Sequence, residues 1–259
     1  MSSRGQGAES TVRVLEHDPE LGLGVPPDRI RDARAALVAP ARSFEPGIWE
    51  VPSGSGQRAR LGFLLVRGSV ARDVTLAGTT GTELVGEGDL LQPRPRARGE
   101  DELVRHRVLW HVLEPTRVAV LDDAFTRLLT RWPTVMAALL EREIRRTARM
   151  AVHQAILQLS PVETRLLVMF WHLAERWGRV SPAGITLRLR LPHQLLGQLV
   201  GCRRASVTTA LRHIDESGLV VKRTDGTWLL RGSPPDELAA VHWPHFETGH
   251  GARVVAGRG

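Results

Sequence analysis

Along the first half of the chain, apolar residues occur in short runs that are separated by glycine and polar turns. The clearest run covers residues 61–71, and further runs lie at 83–85, 88–91, 108–113 and 117–121. Short apolar runs at regular spacing are typical of strands joined by tight turns. The pattern therefore predicts an antiparallel β-roll or jelly roll.

A long helix is predicted to begin after Trp132 and Pro133 and to run to about Leu159. One stripe of apolar or small residues repeats in steps of three or four, as a coiled-coil seam requires: Met136, Leu140, Ile144, Ala148, Ala151, Ala155 and Leu159. The stripe could pack on the chain's own β-roll. A narrow seam on a highly charged helix favours contact with another helix instead.

Residues 191–214 predict two short helices that meet at a turn. The apolar positions keep the 3.6-residue period on both sides of Gly201 and Cys202: Leu195, Leu196 and Leu199 before them, and Val207, Ala210, Leu211 and Ile214 after them. Glycine suits the turn because it adopts positive φ without a Cβ clash. Asp225-Gly226, between two apolar runs, predicts a hairpin directly afterwards. Helix, turn, helix and hairpin together indicate a winged helix-turn-helix.

The second helix of this unit carries hydrogen-bond donors on the face that its apolar stripe leaves free. These candidate DNA-binding residues are Arg203, Arg204, Ser206, Thr208, Thr209 and Arg212. A cationic face of this kind can also be an ordinary solvated helix surface. The hairpin that follows favours DNA, because a wing beside a recognition helix contacts the DNA backbone.

The charge of the chain supports this interpretation. The formal net charge is +7, and Lys222 is the only lysine, so almost all positive charge is guanidinium. Between positions 161 and 232 there are eleven Arg and Lys against five Asp and Glu. Binding to phosphates with release of counterions requires such a local excess.

These patterns predict an α+β fold with five parts. Residues 1–24 are expected to be a disordered tail and residues 25–125 a β-roll effector domain. Residues 126–159 form the dimerisation helix, residues 160–235 the winged helix-turn-helix, and residues 236–259 a flexible tail.

Residues 195–211, with Gly201-Cys202-Arg203-Arg204 at their centre, resemble the DNA-binding segment of the Crp/Fnr family of transcription regulators, named after the cyclic-AMP receptor protein and the fumarate-nitrate regulator. Residues 64–70 and 88–91 are similar to strands of that family's effector domain, so the resemblance implies that the β-roll is a cyclic-nucleotide-binding-like domain. The resemblance implies a homodimer that binds an inverted repeat in double-stranded DNA. An activator of this type would also contact RNA polymerase.

By position, the resemblance implies that Arg203 contacts a phosphate and that Arg204 contacts a base, most naturally guanine. Many family members have a glutamate and a second arginine on this helix, where the present chain has Ala205 and Thr209. The family's best-known operator should therefore not be assumed. A β-roll module that binds a ligand or a protein, with weak or non-specific DNA binding, remains the alternative.

The effector segment departs from that of cyclic-nucleotide-binding members. Gly88, Asp89 and Leu90 match the family's strand, but Gln92-Pro93 follows, so the glutamate that holds the ribose is missing. The phosphate segment contains Arg105 and Arg107 without the usual Ser/Thr-Ala. These five residues, Gly88, Asp89, Leu90, Arg105 and Arg107, are the candidate effector site, and cyclic AMP is not expected to bind there in the usual way. The basic residues 94–100 either help to accept an anionic effector or form an exposed loop.

Other function classes find little support in the sequence. Cys202 is the only cysteine, which excludes an intrachain disulfide and an iron-sulfur cluster within one subunit. His242, His245 and His250 lack supporting ligands for a metal site. There is no P-loop, nucleophile elbow or dinucleotide fingerprint, so we expect no catalytic activity and no cofactor. Without a signal peptide or a long apolar run, a cytoplasmic protein with no membrane contact is expected.

Overall fold

The N-terminal β-roll consists of two antiparallel sheets. A computed structural model describes residues 10–49, 61–92, 104–232 and 234 of the 259. The strands of the roll are β1 (Ser10–Arg13), β2 (Val38–Phe44), β3 (Gly47–Ile48), β4 (Gly62–Arg67), β5 (Ser69–Leu76), β6 (Thr79–Gly86), β7 (Leu90–Leu91), β8 (Arg107–Val112) and β9 (Thr116–Leu121). One sheet has the order β1-β2-β9-β4-β7 and the other β3-β8-β5-β6. The predicted roll is confirmed.

Strand β4 is apolar at almost every position because both of its faces are buried. Phe63 and Leu65 face the second sheet, while Leu64 joins a separate core on the outer side. Aromatic rings fill the space between the sheets: the centroid of Trp49 lies 5.3 Å from that of Phe63 and 6.3 Å from that of Trp110. The interior of the roll is therefore a packed hydrophobic core.

The outer core is completed by the N-terminal segment. Residues 10–22 form β1, helix α1 (Val14–His17) and a 3-10 turn (Pro19–Gly22), and helix α2 (Ile30–Ala36) follows. Val14, Leu15 and Leu21 are fully buried in this core. The expected disordered tail is thus wrong for residues 10–24, because a few closely spaced apolar side chains suffice to anchor the segment. Residues 1–9 lie outside the described residues.

Two helices leave the roll. Helix α3 (Asp123–Leu129) is capped by Asp122, whose Oδ1 accepts a hydrogen bond from the Phe125 amide at 2.9 Å. Helix α4 (Pro133–Leu157) follows after a short turn. Its inner face buries Val135 and Leu139 against the outer core of the roll.

The outer face of α4 carries the predicted seam. Leu140 and Ile144 are 62% and 61% exposed, and Ala148, Ala151 and Ala155 are also exposed. Two residues of the predicted seam are not part of the exposed face. Met136 packs against the core of the roll, and Leu159 packs against the C-terminal core. The exposed part of the seam therefore spans residues 140–155, with Val152 beside it.

The C-terminal unit is a winged helix-turn-helix, as predicted. Its elements are α5 (Val162–Trp177), β10 (Gly178–Ser181), β11 (Gly184–Leu187), α6 (His193–Val200), α7 (Arg204–Glu216), β12 (Val220–Lys222) and β13 (Trp228–Leu230). The strands form one antiparallel sheet in the order β10-β11-β13-β12. Phe170 of α5 is completely buried, and its ring centroid lies 4.9 Å from that of Trp228.

The winged unit packs directly against the roll. Ala71 of β5 and Leu84 of β6 belong to the same buried cluster as Leu173 of α5 and Leu196 of α6. Gly86 lies so close to Trp177 that a Cβ at this position would stand 2.7 Å from the indole nitrogen. This contact joins the end of α5 closely to strand β6 of the roll.

Candidate nucleic-acid interface

The turn between α6 and α7 positions the second helix. Gly201 ends α6 in the left-handed region with φ 64° and ψ 38°, where glycine carries no Cβ penalty. The amide of Cys202 then donates to the carbonyl of Gly197 at 2.9 Å. The chain can consequently turn within three residues and start α7 at Arg204.

Helix α7 has one buried face and one exposed cationic face. Its buried side consists of Val207, Ala210, Leu211 and Ile214. All six donors predicted from the sequence are exposed: Arg203, Arg204, Ser206, Thr208, Thr209 and Arg212. The structure therefore brings the predicted residues together on one surface of the winged unit.

Arg204, Thr208 and Arg212 lie on successive turns of this surface. The hydroxyl of Thr208 donates to the Arg204 carbonyl at 3.1 Å. Nε of Arg212 stands 3.9 Å from a Glu216 carboxylate oxygen, with both side chains about two-thirds exposed. Exposed pairs of this kind contribute about 0–1 kcal/mol, so the Arg212 guanidinium can leave Glu216 for a phosphate.

Two further residues at this surface did not stand out in the sequence as DNA-binding candidates. Nδ1 of His193, at the start of α6, lies 2.9 Å from Oγ1 of Thr208. Burial and the positive charges of Lys222 and Arg204 lower the pKa of His193, which places the wing lysine near the recognition helix. Lys222 could have been recognised from the sequence, because it is the only lysine and lies on a strand of the predicted wing.

Helix α6 is held at its C-terminal end by the two long helices. Nε2 of His153, on α4, donates to the Leu199 carbonyl at 2.7 Å. Nη1 of Arg165, on α5, donates to the Val200 carbonyl at 3.0 Å. Cationic or donor side chains are favourable here because the last carbonyls of a helix lack intrahelical partners. The helix-turn-helix is thus tied directly to α4.

The five candidate effector residues do not form one site. Gly86, just before Gly88, pairs with Ser69 at one end of β5, whereas Arg107 pairs with Thr75 near the other end. Six strand residues span about 20 Å. Arg105 and Arg107 are exposed there, while Asp89 and Leu90 are buried at the opposite end. The prediction of one effector site made of all five residues is therefore wrong. The sheet register places Arg105 and Arg107 far from Gly88, Asp89 and Leu90.

The Asp89 side chain is already engaged by the protein. One carboxylate oxygen accepts from the Gly86 amide at 3.0 Å and also pairs with Arg176 of α5. The other lies 3.1 Å from Nη2 of Arg149 of α4. Asp89 thus joins the roll to both long helices.

Two other interpretations concern metals and membranes. Within residues 10–49, 61–92 and 104–232, no group of three or more His, Cys, Asp or Glu side chains could hold a metal ion. His242, His245, His250 and the basic residues 94–100 lie outside the described residues. Over the part of the chain that the structure covers, no helix combines the length and apolar character of a membrane span.

The comparisons with known proteins support the fold. No protein-family model matches the sequence, and no curated protein matches it significantly. Among solved structures, FixK2 from Bradyrhizobium japonicum is 17% identical, with 76% of this chain and 94% of that chain covered and a TM-score of 0.56.

A CooA variant from Carboxydothermus hydrogenoformans is 18% identical over 74% of this chain and 83% of that chain, with a TM-score of 0.54. A protein from Listeria monocytogenes that contains a cyclic nucleotide-binding domain is 15% identical over 73% of this chain and 87% of that chain, with a TM-score of 0.57. FixK2 and CooA are transcription regulators of the CRP/FNR family. The chain therefore has the fold of the CRP/FNR transcription regulators.

Proposed function

We propose that the protein is a homodimeric transcription regulator that acts in the cytoplasm and reads an inverted repeat in double-stranded DNA. The observation that carries the proposal is the α7 surface. Its six donor side chains are exposed, while the opposite face of the same helix is buried in the winged unit. A helix presented in this way fits the major groove, where side chains reach base edges and phosphates.

The geometry supports different roles for the first two arginines. Arg203 is the N-cap of α7, in an extended conformation, and stands outside the helix. There it suits a phosphate contact. Arg204 is the first helical residue, and the N-terminal residues of a recognition helix contact base edges. A guanidinium can bind O6 and N7 of guanine together.

Dimerisation is supported by the seam on α4. Leu140, Ile144 and Val152 are each at least half exposed, and three alanines lie among them on the outer face of the helix. A second copy of α4 would bury these side chains and would pack closely against the alanines. The dimer would then present two α7 helices to successive major grooves about 34 Å apart.

The packing of the roll favours an effector other than cyclic AMP. Trp49, Phe63 and Trp110 fill the inside of the roll, and Asp89 is committed to Arg149 and Arg176. The titles of structural neighbours mention different ligands: CprK was solved with OCPA, and CLP is described as responsive to c-di-GMP. The fold itself does not specify one ligand.

Substitution of the two arginines should separate affinity from sequence preference. Arg204→Ala is expected to lose about 1–3 kcal/mol of discrimination at one base pair, because a bidentate base contact disappears. Arg203→Ala should weaken binding to all duplexes evenly and reduce the slope of log K against log salt by about 1. Fluorescence anisotropy with specific and random duplexes at several salt concentrations measures both effects.

The matched control is Arg179→Ala. Arg179 is exposed on β10, at the edge of the sheet opposite the wing strand β12. The same loss of charge there should leave the binding of specific duplexes nearly unchanged. Absent or salt-independent binding by the folded wild-type dimer would instead favour the alternative, a β-roll module that binds a ligand or a protein.

A further inference from the structure

A cleft of about 370 Å³ lies between the roll and the two long helices, outside the packed interior of the roll. Its walls come from the N-terminal segment, strand β4, the turn at residues 87–89, helix α4 and the end of helix α5. Four arginines line it: Arg142, Arg145 and Arg149 on one side of α4, and Arg176 on α5. Pockets of 300–1,000 Å³ are the size that small ligands occupy.

Two of these arginines share a single buried carboxylate. The Asp89 side chain is only 5% exposed and pairs with both Arg149 and Arg176. Burial and the positive charge of Arg176 lower the pKa of Arg149. This part of the cleft therefore has more positive than negative charge, and a second anion beside Asp89 would relieve the repulsion between the guanidiniums.

Arg142 is fixed in place at the other end of the cleft. Both of its terminal nitrogens bind the carboxylate of Asp18, and Nη1 also donates to the Gly88 carbonyl at 3.1 Å. Glu20 lies 3.3 Å from Nη2 of Arg142 with its side chain mostly exposed, and Glu87 is exposed at the rim. Asp18 and Glu20 are thus paired with Arg142, whereas Glu87 contacts Arg176 only through its backbone carbonyl, which accepts from Nη2 at 2.8 Å.

Arg145 is the arginine most available to a ligand. Its side chain is 57% exposed, and Nη2 stands 3.5 Å from the exposed Glu141 carboxylate on the same helix. Such surface pairs contribute little and are easily exchanged. Arg145 and Arg149 are one helical turn apart, with about 6 Å between their positions, so one ligand can contact both guanidiniums.

We propose that this cleft is a binding site for a small diphosphate-class anion, held by Arg145, Arg149 and Arg176. Guanidinium groups bind phosphate oxygens in pairs, and the partly buried setting of Arg149 and Arg176 strengthens their contacts. The ligand would join α4 to α5 where Asp89 now joins them. The binding site itself is inferred independently of the proposed function. Only the expectation that the ligand changes DNA affinity depends on the proposed function.

Isothermal titration with inorganic pyrophosphate, at constant ionic strength, tests the site on the full chain. The wild type should bind one pyrophosphate per chain with a saturable isotherm. Arg145→Gln should weaken binding by about tenfold, because it removes one charge-assisted contact. This exposed side chain can be replaced without disturbing the fold. Arg179→Gln, with the same loss of charge on β10, should bind like the wild type.

A second variant gives a change of opposite sign. Asp89→Asn keeps an acceptor for the Gly86 amide but removes the charge that competes with the ligand, so pyrophosphate should bind more tightly than to the wild type. The proposal is overturned if the wild type shows no saturable binding, or if Arg179→Gln weakens binding as much as Arg145→Gln. Pyrophosphate binding without any DNA binding would keep this site and refute the regulator. DNA binding without pyrophosphate binding would refute this site and leave the proposed regulator standing.

Discussion

Ile144→Asp is expected to convert a dimer of twice 28.6 kDa into a monomer. Ile144 lies in the exposed seam on α4 and is 61% exposed within the single chain. In a dimer, the aspartate would be buried against a second apolar helix without a partner, which costs several kcal/mol. Sedimentation equilibrium or light scattering measures the change in mass.

The same substitution should weaken binding to an inverted repeat by roughly 100-fold or more, because two linked recognition helices bind far more tightly than one. Val180→Asp is the matched control. Val180 is 86% exposed on β10, away from α4, so this variant should remain dimeric and should bind DNA like the wild type. A dimeric Ile144→Asp protein would show that the subunits associate through another surface.

Phe170→Ala should destabilise the winged unit by about 3–5 kcal/mol. Phe170 is 0% exposed and packs against Trp228 of β13, so the substitution leaves a cavity between α5 and the sheet that supports the wing. Urea unfolding followed by circular dichroism measures the loss in free energy of unfolding. DNA binding should be lost at temperatures that the wild type tolerates.

Phe125→Ala provides the comparison in the outer core of the roll. Phe125 is 1% exposed in that separate cluster, so a similar loss of stability is expected there. Two separate unfolding transitions, each shifted by one of the variants, would show that the two units unfold independently. A loss below 1 kcal/mol for Phe170→Ala would contradict the packing described for α5.

Local patterns predicted the winged unit well. Leu195, Leu196 and Leu199 repeat within one helix, and every one of them is buried. The same holds for the apolar positions of α7 on the other side of Gly201. Since these side chains meet partners only a few turns away, periodicity alone was enough to predict both helices and the exposed donors between the apolar positions.

Contacts between distant parts of the chain could not be predicted in this way. Asp89 pairs with residues 60 and 87 positions further along the chain, so its role at the cleft depends on how the units pack. Val14 and Leu15 lie within the segment that was expected to be disordered, yet they close the outer core of the roll. Met136 and Leu159 also pack against these distant parts of the chain, so they do not belong to the exposed seam.

Selection of bound fragments from a pool of random duplexes tests the central claim most directly. The wild type should enrich an inverted repeat whose half-site centres lie about 10–10.5 base pairs, or a multiple of that spacing, apart. Each half-site should lose its preference at one base pair when Arg204 is replaced by alanine. Enrichment of an unpaired half-site, or of no sequence at all, by a folded dimer would contradict the account.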